Sequence, residues 1–456
     1  MDNTKNTDTP FEKRHSTTLL GVVNTLQWVI IALILAFVFR AFVMEAFRIP
    51  TGSMAQTLRG DHHHLRCAQC AFKYDVVIDT SDGPKCPNCG FVDRPIVKPG
   101  SNGDRILVLK CIYEFTEPKR WDVVVFKYPV DPTENYIKRM IALPGETVDI
   151  VDGDIFIDGN IARKPPKVQQ ELWMPVYIND YQPLAARKNL PGKSTQGQPP
   201  QPSFNWQQPF INTPGSGWIL NPFSTTSFVL DTPPGDVHTI VYNPAKTDDF
   251  RAWYAYNYPR QYKIMPLCTD LQARFYVQTS AAEGMVSTAL KKFDNLYRAK
   301  LDFSGRMTLE KQVGQAITEL KSIQIPPPQT DKPVLMTFAN VDRQLIFKFG
   351  ANTLKHDLGT GMDTMQIYEQ LSEDIIEVIK TPGPLVEISG AGTIELSHIE
   401  LYRDTYHTNK MSIRPRINKP FTLGENQYFV CGDNSPESYD SRKWGTMGKG
   451  NNGQRF

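Results

Sequence analysis

The chain has almost no excess of charge: 50 Lys and Arg stand against 48 Asp and Glu in 456 residues. That balance removes the electrostatic reason to expect a nucleic-acid partner, so no nucleic acid is expected. The sequence has no convincing internal repeat, which argues against a solenoid, and only one long apolar run, which argues against a polytopic membrane protein. What it has in quantity is 35 Pro, 30 Gly, 18 Tyr and 24 Phe, the composition of a mainly β, turn-dense protein. Its length calls for two or three folding units.

The apolar run extends from Leu19 to Phe39 and stops at Arg40. It matches the roughly 20 residues a helix needs to cross the hydrocarbon. A cleaved leader is the alternative reading, but Phe39-Arg40-Ala41-Phe42 offers no small-x-small site. We therefore expect a transmembrane helix over 19–41. Lys5, Lys13, Arg14 and His15 precede it, so residues 1–18 are expected in the cytoplasm, with everything after 42 outside a cytoplasmic membrane crossed once.

Alternating apolar residues then predict strands at Arg105–Leu109, Trp121–Phe126 and Tyr136–Ile141, with hairpin turns at Asp152-Gly153 and Asp158-Gly159. These describe a small antiparallel β-domain, 42–160, completed by 421–456. Between them, 161–420 changes texture. A stretch rich in Pro, Gln, Gly and Ser around 191–217 reads as linker. Strand-like segments follow at Ser227–Leu230, His238–Tyr242, Val334–Phe338, Gln344–Phe349 and Thr393–Tyr402, interrupted by helix-like pieces at Ala281–Tyr297 and Met362–Ile379. This predicts a second, inserted β-sandwich-like domain. Phe338–Phe347 and Gly390–Leu396 resemble sandwiches of the concanavalin-like kind.

Three segments carry chemistry. Ser53 lies in Ile49-Pro-Thr-Gly-Ser-Met, where Pro fixes the chain and Gly permits a close approach; read alone, this is an ordinary turn. Lys138 lies in Tyr136-Ile-Lys-Arg-Met-Ile. If the strand turns Lys138 inward, burial disfavours its charge and makes the amine a base; if it turns Arg139 inward, Lys138 is solvated. The third segment, Gly432-Asp-Asn-Ser-Pro-Glu-Ser-Tyr-Asp-Ser-Arg-Lys-Trp-Gly445, follows a strand-like Tyr428–Cys431 and crowds hydroxyls around an Asp-x-Arg spacing.

In this order, after an anchor, these segments and Gly103–Val108 resemble the signature boxes of type I signal peptidases. Ser53-Met54 with Thr57-Leu58, Lys138-Arg139 with Leu143-Pro-Gly-Glu, and residues 432–445 meet the family's patterns. The resemblance implies a serine endopeptidase that cuts signal peptides from preproteins with small residues at −1 and −3, without a catalytic cofactor. It implies Ser53 as nucleophile and Lys138 as general base. Ser438 would orient the amine, Asp440 and Arg442 would hold the loop, and the Thr51 hydroxyl with the Ser53 N–H would form the oxyanion hole. Gln56 stands where the family has Pro, and the residues after Gly445 lack its usual final strand, so a truncated chain is one expectation. The nucleophile follows the anchor by about 13 residues, at most roughly 45 Å of extended chain, which keeps it near the lipid bilayer.

Cys67-x2-Cys70 and Cys86-x2-Cys89 have the spacing of a four-cysteine zinc ribbon over 65–92; disulfides are the alternative outside the cytoplasm. Structural zinc is expected. His62, His63 and His64, beside Cys67, could join a site but read rather as a flexible, solvated run, and Cys111, Cys268 and Cys431 as small buried apolar residues. Two other functions stay open: a catalytically idle, membrane-tethered binding homologue, and a self-cleaving repressor-type Ser-Lys protease, against which the anchor counts.

Overall fold

The computed structural model describes residues 11–78, 83–93, 100–129, 131–183, 206–221, 226–244, 250–361, 383–408, 412–415 and 419–444. The expected helix at Met362–Ile379, the linker up to 205 and the tail from Gly445 lie outside these. The chain divides into two units: Met1–Ile49 with Arg105–Pro118, and Pro50–Asp104 with Lys119–Phe456.

In the first unit a helix, Phe11–Val38, runs into a single π turn, Phe39–Val43. The apolar stretch Leu20–Val43 covers 24 residues with a mean hydropathy of 2.4. Its large side chains, from Leu20 to Phe42, are exposed, as they must be where the solvent is lipid rather than protein. Thr25 donates its hydroxyl to Gly21 O at 2.8 Å, so this polar group is satisfied inside the helix. The strand Met44–Arg48 then pairs antiparallel with Arg105–Leu109.

Among the described residues, the second unit holds three small sheets, one of them the hairpin His62–Arg66/Lys73–Val77, and two large ones. Strand Asn135–Ala142 pairs with Val123–Lys127 on one edge and with Phe429–Cys431 on the other, so the C-terminal box is laid directly beside the lysine strand. A neighbouring sheet joins Phe421–Thr422, Thr147–Val151, Asp154–Ile157 and Asn160–Ile161. Its turns use Asp152-Gly153 and Asp158-Gly159, all four with positive φ, the geometry that matches strand twist. Trp121, Ile141, Val148, Ile150, Ile155 and Phe429 pack a common core between the two sheets.

The large sheets span 174–403. One, of eight strands, is centred on Leu271–Thr279 and Thr393–Arg403; the other, of seven, on Met285–Lys292 and Val386–Ala391. Leu271–Thr279 alternates strictly between buried and half-buried positions, and residues from both sheets, among them Phe275, Phe338, Leu290 and Ile388, fill one core. These sheets fall in the same unit as the small ones. The segment Ala281–Tyr297, expected to be helical, is instead the hairpin Met285–Lys292 with Asn295–Asp302, turning at Phe293 with φ 53°. Its Val-Ser-Thr run fits a pleated surface, and burial between neighbouring strands decides its conformation.

Candidate active site

Residues Pro50–Asp61 form a closed loop. The Ala55 N–H donates to Gly52 O, Leu58 to Met54 O, and Asp61 to Pro50 O at 3.3 Å, which joins the loop's two ends. Gly52 is required by close packing: a Cβ there would stand 2.1 Å from the ring of Tyr256. That ring, rather than a substrate carbonyl, is what the glycine admits in this structure. The Tyr256 hydroxyl donates to Asp61 O at 2.8 Å and fixes the same loop from outside. Ser53 emerges from the loop with 7 % exposure.

Lys138 stands across from Val124 in the strand pair and is 4 % exposed. Its Nζ is 2.9 Å from Ser53 Oγ and donates to Ile137 O at 2.9 Å. Burial pushes the amine down to about 8, against the opposing pull of the Asp440 carboxylate. Alternation sends Arg139 the other way, yet it too is buried, donating from Nε and Nη2 to both oxygens of Asp433. Neither residue is solvated, because the strand is covered on both faces.

The C-terminal box wraps this pair. Arg442 donates from Nε and Nη2 to the Asp440 carboxylate at 2.9 and 2.7 Å, and the Gly432 N–H donates to the same carboxylate at 2.9 Å. Burial by itself would raise Asp440; Arg442 and these donors reverse it and hold the group below the usual carboxylate range. Arg442 also reaches Ser435 O and Thr408 O. A Cβ on Gly432 would collide with both Ser438 Oγ and Ser53 O, so the glycine lets the box approach the nucleophile. Ser438 is wholly buried there, but its hydroxyl has no well-formed hydrogen bond, and none to Lys138. Thr51 sits exposed at the loop's rim.

Four further residues contribute that were given no role, one inside the C-terminal box and three outside every box. The Asn434 N–H donates to Ser53 O at 3.0 Å and its side chain to Gly52 O at 3.0 Å. The same amide exchanges reciprocal bonds with Asn257, at 2.7 and 2.9 Å. Tyr254 donates to Asp433 O at 2.9 Å, and Tyr256 is described above. Tyr254, Tyr256 and Asn257 lie in Trp253-Tyr-Ala-Tyr-Asn, whose aromatic density was the one available signal.

The four ribbon cysteines are free thiols. Cys67 and Cys89 lie 3.6 Å apart at sulfur, as do Cys70 and Cys86, and all four sulfurs fall within 4.8 Å of one another. Tetrahedral zinc with 2.3 Å bonds separates its sulfurs by about 3.8 Å, so four cysteines in this arrangement fit a metal ion. The knuckles are alike: Ala71 and Gly90 each donate back to the first cysteine's carbonyl, at 2.9 and 3.0 Å, and each has a positive φ. Cys268 and Cys431 are buried, Cys111 half-buried. The histidine run, expected to be flexible and solvated, forms the strand His62–Arg66 paired with Lys73–Val77. His62 and His63 are buried because each ring finds a backbone carbonyl, Gly60 O and Ile78 O.

The family described as "Signal peptidase, peptidase S26" matches residues 97–194 and 373–452. Signal peptidase I of Pseudomonas fluorescens is 36% identical over 135 residues, 29% of this chain and 37% of that protein. Signal peptidase I of Pseudomonas aeruginosa is 33% identical over 134 residues, and that of Rickettsia typhi 32% over 124, covering 36% and 39% of those proteins and 29% and 27% of this chain. The chain thus spans under two-fifths of the length of these relatives. Among solved structures, a Bacillus subtilis carbohydrate-binding module aligns with 42% of this chain and 94% of its own, at 8% identity and a TM-score of 0.26, too slight a likeness to support an argument. The sequence matches and the order of the boxes support a member of the type I signal peptidase family.

Proposed function

We propose that the protein is a membrane-anchored serine endopeptidase that removes signal peptides from secreted preproteins at the outer face of the cytoplasmic membrane. The observation that carries this is the 2.9 Å separation of Lys138 Nζ and Ser53 Oγ, with the amine buried and pushed down to about 8. An uncharged amine takes the hydroxyl proton as Oγ attacks the scissile carbonyl, forming an acyl-enzyme; the amine then activates the water that hydrolyses it. Ile137 O anchors one amine hydrogen and so aims the lone pair. Ser438, whose hydroxyl stands with the Ser53 carbonyl against Gly432, is the residue we assign to orient the amine. The Asp440–Arg442 pair fixes the wall that carries it. The Ser53 N–H and Thr51 hydroxyl serve as the oxyanion hole, each well-placed donor contributing about 3 kcal/mol to barrier lowering.

The substrate class follows from the family: preproteins with small residues at −1 and −3, presented at a bilayer by the Leu20–Val43 span. The lipid bilayer is thus the second partner. No catalytic cofactor is needed, since base and nucleophile are both side chains. Zinc at Cys67, Cys70, Cys86 and Cys89 is structural, tying the two knuckles together. The two large sheets act as an inserted module, and Tyr256, in the 250–257 segment between two of their strands, packs on the serine loop and supports the site.

The test is cleavage of a model preprotein by the full chain in detergent micelles. Wild type should release the leader, and Ser53→Ala should lower the rate by at least about a thousandfold. Equal rates, or none from either protein, would leave a tethered binding homologue in its place.

A further inference from the structure

We propose that the hairpin His62–Arg66/Lys73–Val77 carries a second zinc site, separate from the four cysteines, in which His62 Nε2 and His64 Nε2 are the protein ligands and Asp75 positions His64. Residues i and i+2 of a strand share a face, which brings the two rings edge to face with centroids 4.2 Å apart and planes at 87°.

The argument rests on where the ring protons go. His62 Nδ1 is 2.7 Å from Gly60 O, and a carbonyl oxygen only accepts, so the His62 proton sits on Nδ1. His64 Nδ1 is 2.5 Å from Asp75 Oδ1, directly across the hairpin, and a carboxylate likewise only accepts. Arg59 donates to the other Asp75 oxygen at 2.8 Å, which leaves Oδ1 for His64. Both Nε2 atoms then present lone pairs, and they face each other at 3.0 Å. Two lone pairs at that distance repel unless a cation lies between them.

Zinc fits that position. With bonds of 2.0–2.1 Å and a tetrahedral angle, two imidazole nitrogens stand about 3.3 Å apart, a small opening that the exposed His64 ring can supply by turning. A carboxylate on the far nitrogen of a metal-bound imidazole sets its tautomer and orientation, which is the arrangement of Asp75, His64 and the cation. Water would complete the coordination. His62 is 2 % exposed and held by a paired bridge to Ser101, so one ligand is rigid before the ion arrives. The preceding residue, Asp61, closes the serine loop on Pro50 O, and the ion would stiffen the strand on which that loop ends.

The test uses the full chain in detergent under reducing conditions, equilibrated with zinc(II) and freed of excess, with metal counted per chain by mass spectrometry. Wild type should hold one more zinc than His64→Ala, whatever the cysteines hold, because the thiol site is common to both proteins. His64 is 57 % exposed at its side chain, so its removal spares the fold, checked by circular dichroism. Asp75→Asn should retain the ion but bind it 10- to 100-fold more weakly. Equal zinc content in wild type and His64→Ala overturns the proposal and leaves a shared proton as the cation between the rings.

Discussion

Arg139 grips Asp433 with two parallel hydrogen bonds, Nε and Nη2 each 2.8 Å from a carboxylate oxygen, one residue along the strand from Lys138. Both partners are almost fully buried, so each depends on the other, Arg139 having as a second carboxylate only the longer 3.8 Å approach of the half-exposed Glu171 among the described residues. Removing one leaves a stranded charge. Asp433→Ala should therefore lower stability by about 3–5 kcal/mol, and Arg139→Met combined with Asp433→Leu by clearly less. Denaturation midpoints of the single and double variants check this, and an additive double variant would show that the pair is not coupled.

Lys138 gives a pH dependence in two measurements. Under the proposed mechanism proteolysis needs the neutral amine, so the rate should rise about tenfold per pH unit below about 8 and level off above it. Stability moves in the same direction for a different reason. The folded chain gives up this proton at about 8, the unfolded chain at the ordinary lysine value of 10.5; between the two the unfolded state binds more protons, and folding gains with rising pH. Relative to Lys138→Met, wild type should gain on the order of 3 kcal/mol between pH 7 and 10.5. A flat difference between the two proteins would put the amine in water.

Asn257 reaches the site through Asn434. Their reciprocal amide bonds hold the Asn434 side chain where it donates to Gly52 O, next to the nucleophile. Asn257→Ala should leave the dyad's chemistry intact but let the serine loop shift, lowering kcat by about 10- to 100-fold with little change in KM. Steady-state kinetics on a soluble peptide substrate separate the two constants. An unchanged kcat would mean that the loop holds its place without the 250–257 segment.

What the sequence revealed follows the range of the forces involved. The apolar span, the strands flanking Lys138 and the Asp-Gly turns are set by residues close together in the chain, and their patterns are visible there. The Ser53–Lys138 pair became legible through motifs, because strand alternation left open whether Lys138 or Arg139 points inward, and the structure buries both. Tyr254, Tyr256 and Asn257 showed nothing beyond the aromatic density of their segment, since their partners Asp433, Asp61 and Asn434 lie 179, 195 and 177 residues away. Ala281–Tyr297 looked helical by local composition, and pairing with Val386–Ala391 overrides that preference. The histidine run was misread for a related reason: its order depends on Asp75 and Ile78 across the hairpin.

The cysteine cluster makes a prediction that links metal to catalysis. Cys67, Cys70, Cys86 and Cys89 pack with Tyr74, Phe91, Trp253 and Ala255 in one core. Trp253 is 4 % exposed, and the residues after it, Tyr254 and Tyr256, hold Asp433 and the serine loop. Without an ion, four thiols crowded within 4.8 Å have only weak mutual bonds to keep two knuckles together. Stripping the metal with a strong chelator, or substituting Cys86→Ser, should therefore open this core, shift tryptophan emission to the red and lower the cleavage rate by about 10-fold or more. Zinc should restore both signals after chelation, and magnesium neither, because thiolates select soft ions. Unchanged emission and rate in the metal-free protein would mean that the knuckles stand without an ion.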